Sequence, residues 1–120
     1  MKNKVVVIGA SENPSRYSYI CITRLVEKNY PVVAIGKRAG TVAGVAIVMG
    51  KPEIANVHTV TIYLSLQNQA SMEDYILSLS PKRIIFNPGA ENRSFAERAE
   101  RLGIATEEAC TIVMLTIGAF

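Results

Sequence analysis

The run Lys-Val-Val-Val-Ile from Lys4 to Ile8, followed directly by Gly9, constrains the fold of this chain more than any other feature. β-Branched residues without polar alternation are typical of a strand that is buried on both faces, as in a parallel sheet. Parallel strands need crossover connections, which are usually helices that cover the sheet. The glycine ends the strand and opens a loop. The run therefore predicts an α/β fold.

Strand and helix signals alternate along the rest of the chain. Strands are predicted at residues 4–8, 32–35, 59–64, 83–86 and 104–106, and helices at 15–28, 68–79, 92–102 and 109–117. Asn92 or Ser94 is expected to cap the third helix. Residues 41–49 have only marginal strand character, and 51–54 could form one helical turn. We expect a three-layer Rossmann-like α/β fold with a five-stranded parallel sheet, in the order 3-2-1-4-5.

Composition narrows the classes of protein and partner. The 120 residues, 49% hydrophobic and 19% charged, predict a single domain over 1–120. A net charge of +3 suits a small anionic ligand and falls short of a nucleic-acid surface. The apolar stretch from Thr111 to Phe120 is about half the length of a membrane span, and no secretory signal is apparent, which favours the cytoplasm. The two cysteines and one histidine are too scattered for a metal site.

The loop after the first strand is the strongest candidate for binding a ligand. In open parallel sheets, ligands bind at the carboxyl ends of the strands, where the strand order reverses. Gly9 lets the backbone approach a phosphate, Ser11 can donate its hydroxyl, and the following helix offers free N–H groups. Ser11 and Pro14 replace the second and third glycines of the GxGxxG fingerprint, so an ordinary NAD site is not predicted.

A basic turn follows the second strand. Dinucleotide folds that select NAD usually place an acidic residue there, whereas this chain has Gly36, Lys37 and Arg38. Two cations favour a phosphorylated ribose, which occurs in NADP and in coenzyme A. A solvated basic turn without a ligand is the alternative interpretation.

No catalytic constellation is evident. Cys110 lies near the start of the last helix, whose dipole favours a thiolate, but Glu107 and Glu108 oppose that effect and a packed core cysteine is the more common case. An NADP-dependent reductase and a thiol-transfer protein that uses Cys110 remain alternatives to a binding module. A further alternative is an interaction subunit whose apolar helix, 112–120, packs on a partner or on a second copy.

Three segments resemble the small stand-alone CoA-binding domain family, which is similar to the N-terminal CoA-binding domain of the succinyl-CoA synthetase α subunit. They are residues 7–18 (VIGASENPSRYS), 83–92 (RIIFNPGAEN) and 108–110 (EAC). The resemblance extends over essentially the whole chain. It implies a protein that binds coenzyme A or an acyl-CoA, and it implies no catalytic activity, because the later domain that supplies the phosphorylated histidine in the synthetase has no counterpart in this chain.

The resemblance also implies which residues bind the coenzyme. The loop after the first strand and Ser18 would hold the pyrophosphate, and the basic turn would meet the 3'-phosphorylated adenosine. Many members have Asn-Pro-Lys where this chain has Gly36, Lys37 and Arg38. The full predicted set is Gly9, Ala10, Ser11, Pro14, Ser18, Gly36, Lys37, Arg38, Tyr63, Leu64, Phe86, Asn87, Pro88 and Gly89.

Overall fold

A computed structural model describes residues 2–120 and contains one seven-stranded sheet. The strands lie in the order β3-β4-β2-β1-β5-β6-β7. Every neighbouring pair is parallel except β3 and β4. The strands are β1 (Lys4–Ile8), β2 (Val32–Ile35), β3 (Gly40–Val42), β4 (Val45–Val48), β5 (Val57–Ile62), β6 (Arg83–Phe86) and β7 (Ala105–Glu108).

Helices cover both faces of the sheet. They are α1 (Tyr17–Glu27), α2 (Leu66–Gln69), α3 (Glu73–Ser78), α4 (Arg93–Arg101) and α5 (Thr111–Ile117). The predicted helix 68–79 is interrupted, because a 3₁₀ turn at Ala70–Met72 separates α2 from α3. The helical turn expected at 51–54 is absent. None of the helices in residues 2–120 has the length and apolar character required to cross a bilayer.

The predicted fold class is confirmed, while the predicted number and order of the strands are wrong. The strand predicted third is β5, and it pairs with the edge of β1 opposite β2, with Val5 beside Thr59 and Ile8 beside Ile62. The outer edge of β2 is already paired with β4, where Ala34 lies beside Ile47. A strand that comes later in the chain therefore reaches the free edge of β1.

The hairpin of β3 and β4 is the element that the sequence did not predict. Its turn lies at Ala43 and Gly44, whose φ angles are 50° and 82°. Two-residue hairpins favour turns with positive φ at both central positions, since that twist matches the flanking strands. Glycine adopts this conformation readily and alanine does not, so Ala43-Gly44 is a weaker turn signal than Asn-Gly.

The core has two halves because successive residues of a buried strand point to opposite faces. Val5 and Val7 face a layer formed by α1 and α5, and Val6 and Ile8 face the layer that contains α3 and α4. The first half includes Cys21, Ile22, Leu25 and Leu115, and the second includes Ile62, Ile76, Phe86, Phe95 and Ala99. This sandwich fixes the carboxyl ends of β1, β2, β5 and β6 at one edge.

Candidate functional site

The candidate site lies where the strand order reverses, at the carboxyl end of β1. The chain proceeds from β1 to β2 on one side and reaches β5 on the other. Such a reversal opens a crevice between the loops that leave the two central strands. Here the loops that begin at Gly9 and Tyr63 form its centre, and those at Gly36 and Asn87 lie on either side.

Gly9 joins the two central loops. Its φ is +92°, and a Cβ atom there would lie 2.8 Å from the carbonyl oxygen of Tyr63. The N–H groups of Gly9 and Ala10 both donate to the carbonyl oxygen of Ile35, at 3.0 and 2.9 Å. These two amides therefore have protein partners, and the glycine serves the packing of β1 against the end of β5.

The second half of this loop leads into an uncapped helix. Asn13 accepts from the N–H of Ser15 at 3.0 Å and donates its own N–H to Ser11 Oγ at 3.1 Å. The helix α1 then begins behind Arg16, which forms no side-chain cap. Ser18, 3% exposed, lies in its first turn, and Pro14 lies exposed in the loop. An uncapped N-terminus leaves N–H groups and the positive end of the helix dipole for an anion.

The basic turn lies against the loop after β1. A Cβ atom on Gly36 would overlap the carbonyl oxygen of Ala10, so this position requires glycine. Lys37 and Arg38 are exposed. Over residues 2–120, neither takes part in an ion pair, so both cations can meet a phosphate.

Tyr63 and Leu64, both half-buried, form the wall next to β1. The phenol oxygen of Tyr63 is buried and has no hydrogen-bond partner among residues 2–120, and its polar neighbours include the Cys21 thiol. Burial raises the pKa of Tyr63, and Cys21 raises it further. Burial also raises the pKa of Cys21 to about 12. Both groups are therefore protonated at neutral pH.

Asn87 lies inside the protein and links β5 to the start of α5 by hydrogen bonds. Only 1% exposed, it donates from Nδ2 to Thr61 Oγ1 at 2.6 Å and to the Ile62 carbonyl at 2.9 Å. Its Oδ1 accepts from the N–H of Thr111 at 2.9 Å, which fixes the start of α5. Phe86 is likewise in the core, with 1% exposed. The exposed rim beyond β6 therefore consists of Pro88 and Gly89.

Gln69 was missed by the sequence reasoning. Its side chain is fully buried, and Nε2 donates to the carbonyl oxygens of Leu64, at 2.9 Å, and Ala90, at 2.6 Å. Its Oε1 accepts from Nδ2 of Asn92 at 3.0 Å. The amide ties the loop after β5 to the loop after β6. Glutamine in a helix usually faces solvent, so the sequence carried no signal for this role.

Other features lie away from this edge. A hollow of about 450 Å³ between α4 and β7 is lined by Glu97, Glu100, Glu107 and Glu108, whose charges oppose a phosphate. His58 lies near the amino end of β5, at the opposite edge of the sheet from the site, where burial and the nearby Arg83 lower its pKa. The described residues contain no cluster of three or more metal-ligating side chains.

The fold and this edge define a class, the three-layer α/β domains of Rossmann type with a ligand crevice at the point where the strand order reverses. Within that class, the chain belongs to the family described as CoA binding domain, whose model matches residues 3–116. The resemblance seen in the sequence is thereby confirmed. No curated protein matches the chain significantly.

Solved structures support the same fold. An uncharacterised protein with 41% sequence identity superposes with a TM-score of 0.96, with 100% of this chain and 99% of that chain covered. A Thermus thermophilus protein, described as cell-free ID.343, is 17% identical and superposes with a TM-score of 0.85. The match covers 99% of this chain and 91% of that chain. A conserved hypothetical protein of Pyrococcus furiosus is 19% identical with a TM-score of 0.76, covering 94% and 98%. The last two similarities concern the fold alone.

Proposed function

We propose that this protein binds coenzyme A or an acyl-CoA without catalysing a reaction. The binding unit is a single domain over residues 1–120 that works in the cytoplasm. Membership of the CoA binding domain family supports the ligand class. The observation that carries the proposal is the uncapped eleven-residue helix α1 beside a turn with two cations that lack ion-pair partners in residues 2–120.

The proposed contacts follow the charge of the ligand. The pyrophosphate lies at Ser11 and the first turn of α1, where N–H groups and the helix dipole favour an anion. The 3'-phosphate of the adenosine ribose meets Lys37 and Arg38. Gly9, Ala10 and Gly36 hold the loops in place. The pantetheine arm follows the remaining wall, which is formed by Tyr63, Leu64, Pro88 and Gly89 and is supported from inside by the buried Phe86 and Asn87.

The non-catalytic part of the proposal rests on the protonation state of the buried groups. General bases and nucleophiles need pKa values close to the working pH. The pKa of Cys21 is raised to about 12, and that of Tyr63 is raised as well. These two groups at the back of the crevice therefore support a role in packing.

Calorimetric titration with CoA and dephospho-CoA tests the proposal. A charge-assisted hydrogen bond contributes about 1.5 to 3 kcal/mol, so CoA should bind about ten- to a hundredfold more tightly than dephospho-CoA. The double variant Lys37→Ala/Arg38→Ala should bind both ligands alike. Lack of CoA binding by the unaltered protein would refute the proposal, and an unchanged ratio in the double variant would refute the assigned phosphate contact.

Thiol exchange at Cys110 is a second candidate. Cys110 is half-buried and directly precedes Thr111, whose N–H donates to Asn87 after β6, and this position supports a place for the thiol beside the proposed pantetheine arm. A mixed disulfide would form when the Cys110 thiolate attacks a CoA disulfide and releases the second thiol. Mass spectrometry after incubation with CoA disulfide should then show the CoA adduct on the unaltered protein and none on Cys110→Ser.

A further inference from the structure

Glu12 connects the loop after β1 to the hairpin of β3 and β4. Its Oε2 accepts a hydrogen bond of 2.8 Å from the N–H of Thr41. Gly40 makes room for this contact, because a Cβ atom at that position would overlap the carboxyl group of Glu12. Glu12 itself is exposed, so the contact depends on this fit and on a single hydrogen bond.

The same contact defines one end of the basic turn. Gly36 packs against the carbonyl of Ala10, and Gly40 packs against Glu12. The three exposed residues between the two glycines, Lys37 to Ala39, are thus held at both ends by the loop after β1. A carboxylate beside an anion site opposes binding of the anion. The hydrogen bond from Thr41 explains why the Glu12 carboxylate is nevertheless found beside the basic turn.

We infer that Glu12 is a positioning residue that sets the preference for a phosphorylated adenosine ribose. The inference rests on the proposed function. Glu12 fixes the distance between the cations and the loop that meets the pyrophosphate. When this link is absent, Lys37 and Arg38 remain on the surface, but ordering them around the 3'-phosphate costs conformational entropy on binding. The preference for CoA over dephospho-CoA then falls.

Substitutions at Glu12 separate positioning from charge. Glu12→Ala should lower the ratio of CoA to dephospho-CoA affinity by about three- to tenfold, while the affinity for dephospho-CoA changes less than about twofold. Glu12→Gln removes the charge but retains an oxygen acceptor for Thr41, so the ratio should be preserved. If the charge alone mattered, both variants would bind CoA more tightly, and that result would overturn the inference.

Gly40→Ala provides an independent variant, since it displaces the Glu12 carboxyl group without removing it. The backbone of Gly40 is outside the positive-φ region, so alanine is compatible with it. The variant should lower the ratio of CoA to dephospho-CoA affinity as Glu12→Ala does. Combining the two substitutions should lower the ratio little further, because both remove the same contact between Glu12 and Thr41. Additive losses would contradict the inference.

Hydrogen exchange at the Thr41 amide is a readout that needs no ligand. Exchange should accelerate in Glu12→Ala and Gly40→Ala and remain slow in Glu12→Gln. Unchanged exchange in Glu12→Ala, or CoA binding with an unchanged ratio in that variant, overturns the role of Glu12. Failure of the unaltered protein to bind CoA overturns the proposed function instead, so the two failures are distinguishable.

Discussion

Gly9 and Gly89 have nearly the same backbone conformation in different surroundings. Their φ angles are +92° and +90°, but a Cβ on Gly9 would meet Tyr63 at 2.8 Å, whereas Gly89 faces open space. Gly89→Ala should therefore cost only the left-handed backbone strain, about 1 to 2 kcal/mol. Gly9→Ala should cost about 1 to 3 kcal/mol more, because of the overlap. Urea unfolding measures both. Equal losses of stability would contradict this account of Gly9.

The buried thiol of Cys21 predicts a loss of stability at alkaline pH. Its pKa is 9.0 in the unfolded chain and about 12 in the folded protein, so above pH 9 the unfolded state releases a proton that the folded state retains. The contribution of Cys21 to the free energy of unfolding is constant below that pH and falls by at most about 1.4 kcal/mol per pH unit from pH 9 towards 12.

Cys21→Ala identifies the contribution of this thiol. Chemical unfolding between pH 8 and about 11 should show a shallower decline for the variant than for the unaltered protein, although the variant is less stable at pH 8 because of the cavity. The matched variant Cys110→Ala should retain the steep decline. Parallel pH profiles for Cys21→Ala and the unaltered protein would contradict the prediction.

Asn92 caps α4 and also reaches into the buried hydrogen-bond network around Gln69. Its side chain accepts from the N–H of Phe95 at 3.1 Å and donates to Gln69. Asn92→Ala should lose about 1 kcal/mol for the cap and about 1 to 3 kcal/mol for the unpaired buried oxygen of Gln69. Ser94→Ala, an exposed neighbour, should lose less than about 0.5 kcal/mol in thermal or urea unfolding. Similar losses at both positions would contradict the assigned cap.

Most elements were predictable because local signals specify them. The strands 4–8, 32–35 and 83–86 match to the residue, and Asn92, one of two predicted caps, is the observed one. The hairpin was missed because Ala43-Gly44 is a weak turn signal. The strand order was predicted wrongly because β5 is apolar enough to be buried at either edge of β1, so its sequence does not indicate which edge it joins. Which edge it pairs with depends on the hairpin.

The whole molecule carries a net charge of +3, and the exposed cations of the basic turn predict salt-dependent binding. Raising the ionic strength from 0.1 to 1 M shortens the Debye length from about 10 to about 3 Å. The affinity for CoA should therefore fall more than the affinity for dephospho-CoA over this range. Calorimetry at the two salt concentrations measures the difference. Identical salt dependence for the two ligands would show that the cations do not meet the extra phosphate.

The sequence could place candidate residues on the loops after the strands, whereas it could not identify the residues that support those loops. Glycines and cations that directly follow a strand are a recognised sequence signal for a phosphate-binding loop. Gln69 and Glu12 act through long-range contacts, to Ala90 and to Thr41, which depend on how distant loops meet. The sequence shows only their residue types.

The Gln69 amide has a consequence for the speed of binding. The Gln69 side chain donates to the carbonyl oxygens of both Leu64 and Ala90, so the two segments cannot separate without the loss of at least one of these hydrogen bonds. The two loops therefore form one wall before binding, and this wall does not have to close over the proposed ligand. Association of the ligand should follow the diffusion-controlled range for preformed sites, without a slow conformational phase.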